Sequence, residues 1–267
     1  MSTGPMRALV TGASSGIGRA IAREFAERGY ALVLVARGAD SLGELRDELT
    51  GISSASHEVL AADLGAREGV AAVSARLQAT DEPVDVLVHS AGIGLPPGGY
   101  LGNPVDASVA VNRVSIDALT ELAHAALPGM LDRDRGGLLT VASIAGFLPG
   151  TAAITYSASK AWAQTFGEGL NQLLRRTGVT STVVAPGFVR SGFHGRAGLG
   201  ASGIHNMMWC APEQVASAAV RAFEKRRALV VPGGIWKAVY AAYRILPRSA
   251  TRALFASYMT WTARRGS

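Results

Sequence analysis

A chain of 267 residues, 48% hydrophobic and 17% charged, can bury a large core, which excludes a disordered polymer and a disulfide-stapled miniprotein. Its single cysteine, Cys210, allows neither an internal disulfide nor a cysteine-based zinc site, and suits a reducing compartment. The net charge of +6 is uneven, because Arg221 to Ser267 carries ten Lys or Arg against the one acid Glu224; this tail suits anionic contacts, and no nucleic-acid-binding motif accompanies it.

Met1 to Met6 runs straight into strand-like residues, leaving no room for a secretion signal, and no run approaches the roughly 20 apolar residues of a membrane span. A cytoplasmic protein is expected. Strands are predicted at Ala8 to Val10, Ala31 to Ala36, Glu58 to Ala61 and Val84 to Val88, separated by amphipathic helices at Ile17 to Arg28, Asp40 to Leu49 and Arg67 to Leu77. A long helix at Asp106 to Leu127, a strand at Leu138 to Val141, a helix at Tyr156 to Arg176 and a strand at Val179 to Val184 follow. Pro212 to Glu224 reads as a helix with Pro in its first turn, and Ala228 to Val231 as a last strand.

Strands without inside-outside alternation, each followed by a helix, predict an α/β fold: one Rossmann-type, doubly wound parallel sheet of about seven strands with helices on both faces. Phe188 to Cys210 lacks periodicity and reads as a substrate lid. The main domain is placed at 1–232, with the lid at 188–211, and 233–267 as a basic, aromatic helical extension of the same domain, split at Pro247.

Directly after the first strand stands Thr11-Gly-Ala-Ser-Ser-Gly-Ile-Gly18, opening the first helix. A glycine-rich turn between strand and helix lets the backbone approach a pyrophosphate, whose charge meets free N–H groups and the positive end of the helix dipole. The second strand ends at Arg37, where NAD-binding folds carry an acid for the adenosine ribose; a guanidinium there favours NADP(H) over NAD(H) by charge.

Tyr156 and Lys160 lie four apart on one helix face, an arrangement in which a cation can stabilise a phenolate and so make proton transfer practical. Such a pair alone is more often an exposed helical contact. Ser143, however, ends a strand at the carboxyl edge of the sheet, where doubly wound folds bind ligands.

The Thr-Gly-x-x-x-Gly-x-Gly form, with Ser143 thirteen positions before Tyr156, resembles the short-chain dehydrogenase/reductase family from Arg7 to about Val231. The resemblance implies an NADPH-dependent carbonyl reductase or alcohol dehydrogenase. Ser143 would hold the substrate oxygen and Tyr156 would serve as acid and base. Lys160 would lower the Tyr156 pKa and bind the nicotinamide ribose, and Asn112 would hold a proton-relay water. It places the cofactor on Gly12, Ser14, Ser15, Gly16, Ile17, Gly18, Arg37, Asp63, Leu64, Ser90, Ala91, Gly92, Tyr156, Lys160, Pro186, Gly187, Val189 and Ser191. Two departures stand out. Ser15 is not the second basic residue of some NADP-binding relatives, and His89-Ser90 replaces an Asn pair that braces the sheet and cofactor, a task expected to pass to a shorter hydrogen bond from Ser90 or to a water.

No metal is expected, since His57, His124, His194 and His205 lack ligand spacing. Phe188, Phe193, Leu199, Ile204, Met207, Met208 and Trp209 favour a lipophilic ketone, aldehyde or 3-oxoacyl substrate. The family's long central helices imply a homodimer or homotetramer. A non-enzymatic NADPH-binding sensor or scaffold is the alternative, as is peripheral contact with a membrane surface through the tail.

Overall fold

The structure, a computed structural model, describes residues 4–148, 153–191, 205–247, 249–251 and 253. Strands β1 (Arg7–Thr11), β2 (Ala31–Ala36), β3 (His57–Ala61), β4 (Val86–His89), β5 (Gly136–Val141), β6 (Val179–Val184) and a short late strand, Leu229–Val230, form one seven-stranded sheet. All its pairings are parallel. Its central strands are buried on both faces, which is why β2 and β4 run Leu-Val-Leu-Val and Val-Leu-Val without polar alternation.

Helices cover both faces. Ile21 and Phe25 of α1 (Gly16–Glu27), Leu42 and Leu45 of α2 (Ala39–Thr50) and Phe223 of a late helix, Pro212–Glu224, fill one core layer. Val70 and Val73 of α3 (Arg67–Gln78), with Leu122 and Met130 of Ala118–Asp132, fill the other. In spatial order the sheet runs β3-β2-β1-β4-β5-β6 and then the Leu229–Val230 strand, so its winding reverses between β1 and β4. At that reversal a crevice opens at the carboxyl ends of the strands, the general ligand position of such sheets.

Several elements differ from the sequence expectation. The fourth strand begins at Val86, since Val84 and Asp85 are committed to cross-links at the opposite, amino end: Arg133 donates to the Val84 carbonyl at 2.8 Å and Arg135 clasps the Asp85 carboxylate at 3.0 and 3.2 Å. The single long helix predicted over 106–127 is divided into α4 (Val105–Asn112), a π-helical turn (Arg113–Asp117) and α5 (Ala118–Asp132). Pro128 does not end α5, because Ala125, Ala126 and Met130 bury its inner face and carry the helix past the missing donor. Helix α6 (Ile154–Leu174) follows.

The base of the lid segment is not irregular. Strand β7 (Phe188–Val189) pairs in parallel with β8 (Trp209–Cys210), with a 3-10 turn at Asn206–Met208 leading into β8. Lid residues 192–204, with Phe193, His194, Leu199 and Ile204, lie outside the described residues. In chain order the late helix Pro212–Glu224 is α7 and the late strand Leu229–Val230 is β9. The tail begins with α8 (Gly234–Ile245), whose Trp236 is only 2% exposed and donates through its indole N–H to the Met208 carbonyl at 2.8 Å. Phe188 meets that ring edge-on at 5.4 Å, and Tyr240 and Tyr243 pack on Phe147 at 4.7 and 5.3 Å. Helix α8 thus ties the lid base to the loop after Ser143. Trp236→Ala is expected to cost about 3–5 kcal/mol in urea unfolding, the usual penalty for emptying such a site. An unchanged midpoint would mean that α8 is dispensable to the core.

Candidate active site

The carboxyl ends of β1, β4, β5 and β6 supply the floor of the crevice. Gly16 takes a left-handed conformation, φ +56°, at the turn into α1, and a Cβ there would stand 2.9 Å from the Ser191 Cβ. Gly18 sits so close to the Gly12 carbonyl that a Cβ would collide with backbone, and Ser90 Oγ lies 3.2 Å from the same position. Ser15 takes the N-cap place of α1, and its side chain makes no capping hydrogen bond among the described residues. Its first amides have no intrahelical acceptor by construction, so this turn presents donors and a positive dipole end to an anion. A pyrophosphate suits that donor set.

Thr11, which the sequence reading left out of the site, braces this cradle. Its hydroxyl accepts from the amides of Ser90 and Ala91, each at 3.1 Å, and donates to the Val88 carbonyl at 3.3 Å. The signal was present in the sequence, as a hydroxyl ending a buried apolar strand. The Ser90 hydroxyl makes no hydrogen bond to protein among the described residues, and the Ser90 and Ala91 amides are held by Thr11.

At the adenosine side, Arg37 is exposed just beyond β2 and makes no ion pair among the described residues, while Asp63 is exposed after β3 and accepts the Gly65 amide at 2.9 Å. Leu64 is buried in the core, so only its backbone is available to a ligand. Pro186 and Val189 are buried beneath the crevice. Gly187 has no room for a side chain because the Trp236 indole occupies that space.

Ser143 follows β5 as the N-cap of a short 3-10 turn, its hydroxyl accepting the Ala145 amide at 3.2 Å, and it is hydrogen-bonded to the Tyr156 side chain. Tyr156 lies in the first turn of α6, and Lys160 stands one turn on, its Nζ 5.7 Å from the phenol ring centroid. The Lys160 ammonium is buried, donates to the Val141 carbonyl at 2.8 Å, and lies 3.5 Å from where a Cβ on Gly92 would stand. Asn112 ends α4, which is tied to α6 by a 3.0 Å hydrogen bond between Ser108 and Thr155. The fold therefore draws Ser143, Tyr156, Lys160, Gly92 and the glycine cradle to one edge.

In the cofactor-free chain, burial governs the protonation of both groups. Burial pushes the Tyr156 phenol up to about 12, against a smaller downward pull from the Ser143 hydrogen bond, and Lys160 does not bring it below its ordinary value. Burial also lowers Lys160 to about 8. Desolvation of both groups outweighs their mutual effect in the protein alone. Phenol and ammonium are thus the prevailing forms at neutral pH. Among the described residues no three His, Cys, Asp or Glu side chains cluster as a metal site.

The sequence model of the short chain dehydrogenase family matches residues 6–199. The chain belongs to the short-chain dehydrogenase/reductase family and is an oxidoreductase of that class. It is 34% identical over 189 residues to a very-long-chain 3-oxoacyl-CoA reductase of Anas platyrhynchos, an alignment covering 68% of this chain and 59% of that protein. The chain thus spans less than two thirds of that relative's length. An uncharacterized oxidoreductase of Staphylococcus saprophyticus is 33% identical over 82% of this chain and 91% of its own. Among solved structures, a short-chain dehydrogenase from Sphingobium yanoikuyae in complex with NADPH superposes with TM-score 0.81 at 31% identity, covering 90% of this chain and 94% of that one. A bulky-bulky ketone specific alcohol dehydrogenase from Comamonas testosteroni gives TM-score 0.77 at 26% identity over 91% and 93%.

Proposed function

We propose that this chain is an NADPH-dependent carbonyl reductase or alcohol dehydrogenase acting on a lipophilic ketone, aldehyde or 3-oxoacyl compound. The observation that carries the reading is the meeting of the Ser143 hydroxyl, the Tyr156 phenol and the buried Lys160 ammonium beside a glycine cradle at the reversal of the sheet. The cofactor, when bound, supplies the hydride that turns a carbonyl carbon into an alcohol carbon. Gly12, Ser14, Ser15, Gly16, Ile17 and Gly18 hold its pyrophosphate, while Arg37, Asp63 and Leu64 flank the adenosine. Ser90, Ala91, Gly92, Lys160, Pro186, Gly187, Val189 and Ser191 hold the nicotinamide end.

Ser143 orients the substrate oxygen by a hydrogen bond, and Tyr156 Oη holds the proton that this oxygen takes up during reduction. Lys160 compensates the phenolate left behind, and Asn112 fixes the path by which the proton is replaced. A phenol that stays protonated to about 12 is a competent donor across the neutral range. The substrate class rests on the apolar residues of the lid segment and on the 3-oxoacyl and bulky-ketone chemistry named for two relatives. Phe188 and Trp209 also pack on one another at 5.6 Å, so part of that apolar surface forms the lid base.

The helix α6 surface carries an open apolar groove lined by Trp162, Phe166, Leu170 and Leu173, a face suited to pairing two copies of the chain. Among the described residues no helix is long and apolar enough to cross a membrane, and tail residues 254–267, with Leu254, Phe255, Tyr258, Met259 and Trp261, lie outside those described.

The test is NADPH oxidation by the purified protein over a panel of lipophilic ketones, aldehydes and 3-oxoacyl thioesters. Turnover on one class confirms the reading. Tight NADPH binding with no turnover across the panel rejects it in favour of a cofactor-binding sensor. Arg37→Asp is expected to weaken NADPH binding roughly 10- to 100-fold relative to NADH, since attraction for the 2′-phosphate becomes repulsion. An unaltered ratio in a binding titration would show that another residue reads that phosphate.

A further inference from the structure

His89 ends β4 between Thr11 of β1 and Thr140 of β5, in the strand register at the floor of the crevice. It is 2% exposed, and its Nε2 lies 3.1 Å from the carbonyl oxygen of Val114. Val114 belongs to the π-helical turn Arg113–Asp117, which begins directly after Asn112 and in which the Ala118 amide reaches back to the Arg113 carbonyl. A carbonyl only accepts, so Nε2 carries the hydrogen and Nδ1 is bare. The opposite tautomer would set two lone pairs against each other at 3.1 Å. It would also leave an Nδ1–H donor buried at an atom that has no protein partner among the described residues.

We propose that His89 is a positioning residue for the Asn112 end of the site: as a neutral ring it donates its Nε2–H to the Val114 carbonyl, fixes the π-helical turn, and so holds Asn112 in register with Lys160. The neutral form is enforced by the surroundings. Burial is the larger cause and the nearby Lys160 ammonium the second, and together they lower His89 to about 3 despite the opposing pull of the Val114 carbonyl. A π-helical turn strains the ordinary helical register and persists where outside contacts hold it. His89 supplies such a contact from a neighbouring strand, 25 positions away in sequence. The functional part of this inference rests on Asn112 serving the proton path proposed above; the structural part does not.

Two variants separate the parts. His89→Gln keeps an N–H near the Nε2 position, whereas His89→Leu keeps volume and removes the donor. In the cofactor-free chain, nitrogen NMR of the wild-type imidazoles, with His89 assigned by its loss in His89→Gln, should show the Nε2–H tautomer, neutral from pH 7 to 5. Amide hydrogen exchange at Ala118 should quicken about tenfold in His89→Leu and return most of the way in His89→Gln. With a substrate from the panel, His89→Leu should lose about tenfold in kcat at nearly constant KM for NADPH, with recovery in His89→Gln. An Nδ1–H tautomer, or wild-type exchange at Ala118 in His89→Leu, would overturn the proposal without touching the enzymatic reading. Lost exchange protection with undiminished kcat would reject the positioning role and leave a fold contact only. Should His89→Leu fail to fold, the wild-type tautomer still decides, an Nδ1–H tautomer overturning the proposal and an Nε2–H tautomer supporting it.

Discussion

Tyr156→Phe is expected to lower turnover by about 10²–10⁴-fold while leaving NADPH affinity within a few-fold of wild type. The substitution removes one oxygen at the mouth of α6 and none of the backbone donors of the glycine cradle, which sit on a different element, α1. The phenol is also buried and costly to desolvate, as its rise to about 12 indicates, so its replacement by an apolar ring removes a polar group whose hydrogen bond to Ser143 is its principal compensation. Stability should therefore change little. Single-turnover rates with a panel substrate, beside NADPH fluorescence titration, make the comparison. Undiminished turnover would remove Tyr156 from the mechanism, and a parallel collapse of NADPH binding would mean that the variant disturbs the crevice as a whole.

The pH profile carries a related expectation. The phenol remains protonated to about 12, but the lowered Lys160 loses its proton around 8. Reduction should therefore be flat through neutrality and decline above about pH 8, with Lys160 and not Tyr156 setting the descending limb. A limb displaced to the range of a free phenol would reverse that assignment.

Much of this site was legible because each of its parts is a local pattern. The glycine spacing of Gly12, Gly16 and Gly18 encodes a left-handed turn and a backbone contact that only glycine permits, and the four-residue step from Tyr156 to Lys160 encodes a shared helix face. Parallel strands buried on both faces announce themselves as short apolar runs. What escaped was decided by partners distant in sequence. Nothing local to Arg113–Asp117 marks a π-helical turn, which meets His89 from another element. The two-residue strands β7 and β8 have too little sequence to carry a period, and exist because Phe188–Val189 finds Trp209–Cys210 across the lid. Trp236 stands among Lys237, Arg244 and other charges, a pattern that leaves membrane contact and docking on the protein both open, and it fills the space that Gly187 leaves.

Lys160→Met should make the cofactor-free protein more stable while abolishing turnover. The ammonium is buried and, among the described residues, makes one hydrogen bond, to the Val141 carbonyl, and burial lowers its pKa from 10.5 to about 8. A lowered pKa means that between about 8 and 10.5 the unfolded chain holds more protons than the folded one, so stability rises with pH across that window. Below about pH 8 both states are charged and the folded protein bears the full desolvation cost. Methionine keeps the stem and removes that cost, so Lys160→Met is expected to gain on the order of 1–3 kcal/mol at pH 7 and to flatten the rise above pH 8. The same change removes the cation that compensates the Tyr156 phenolate and the donor for the nicotinamide ribose, and turnover should fall at least as far as in Tyr156→Phe. Urea unfolding at pH 7 and pH 10 checks the first half and the panel assay the second. A destabilised Lys160→Met variant would show that the Val141 hydrogen bond outweighs desolvation. A stabilised variant with no turnover is what a site held at the expense of the fold produces, since a charge kept buried with no carboxylate partner among the described residues is retained for what it does to a neighbouring proton.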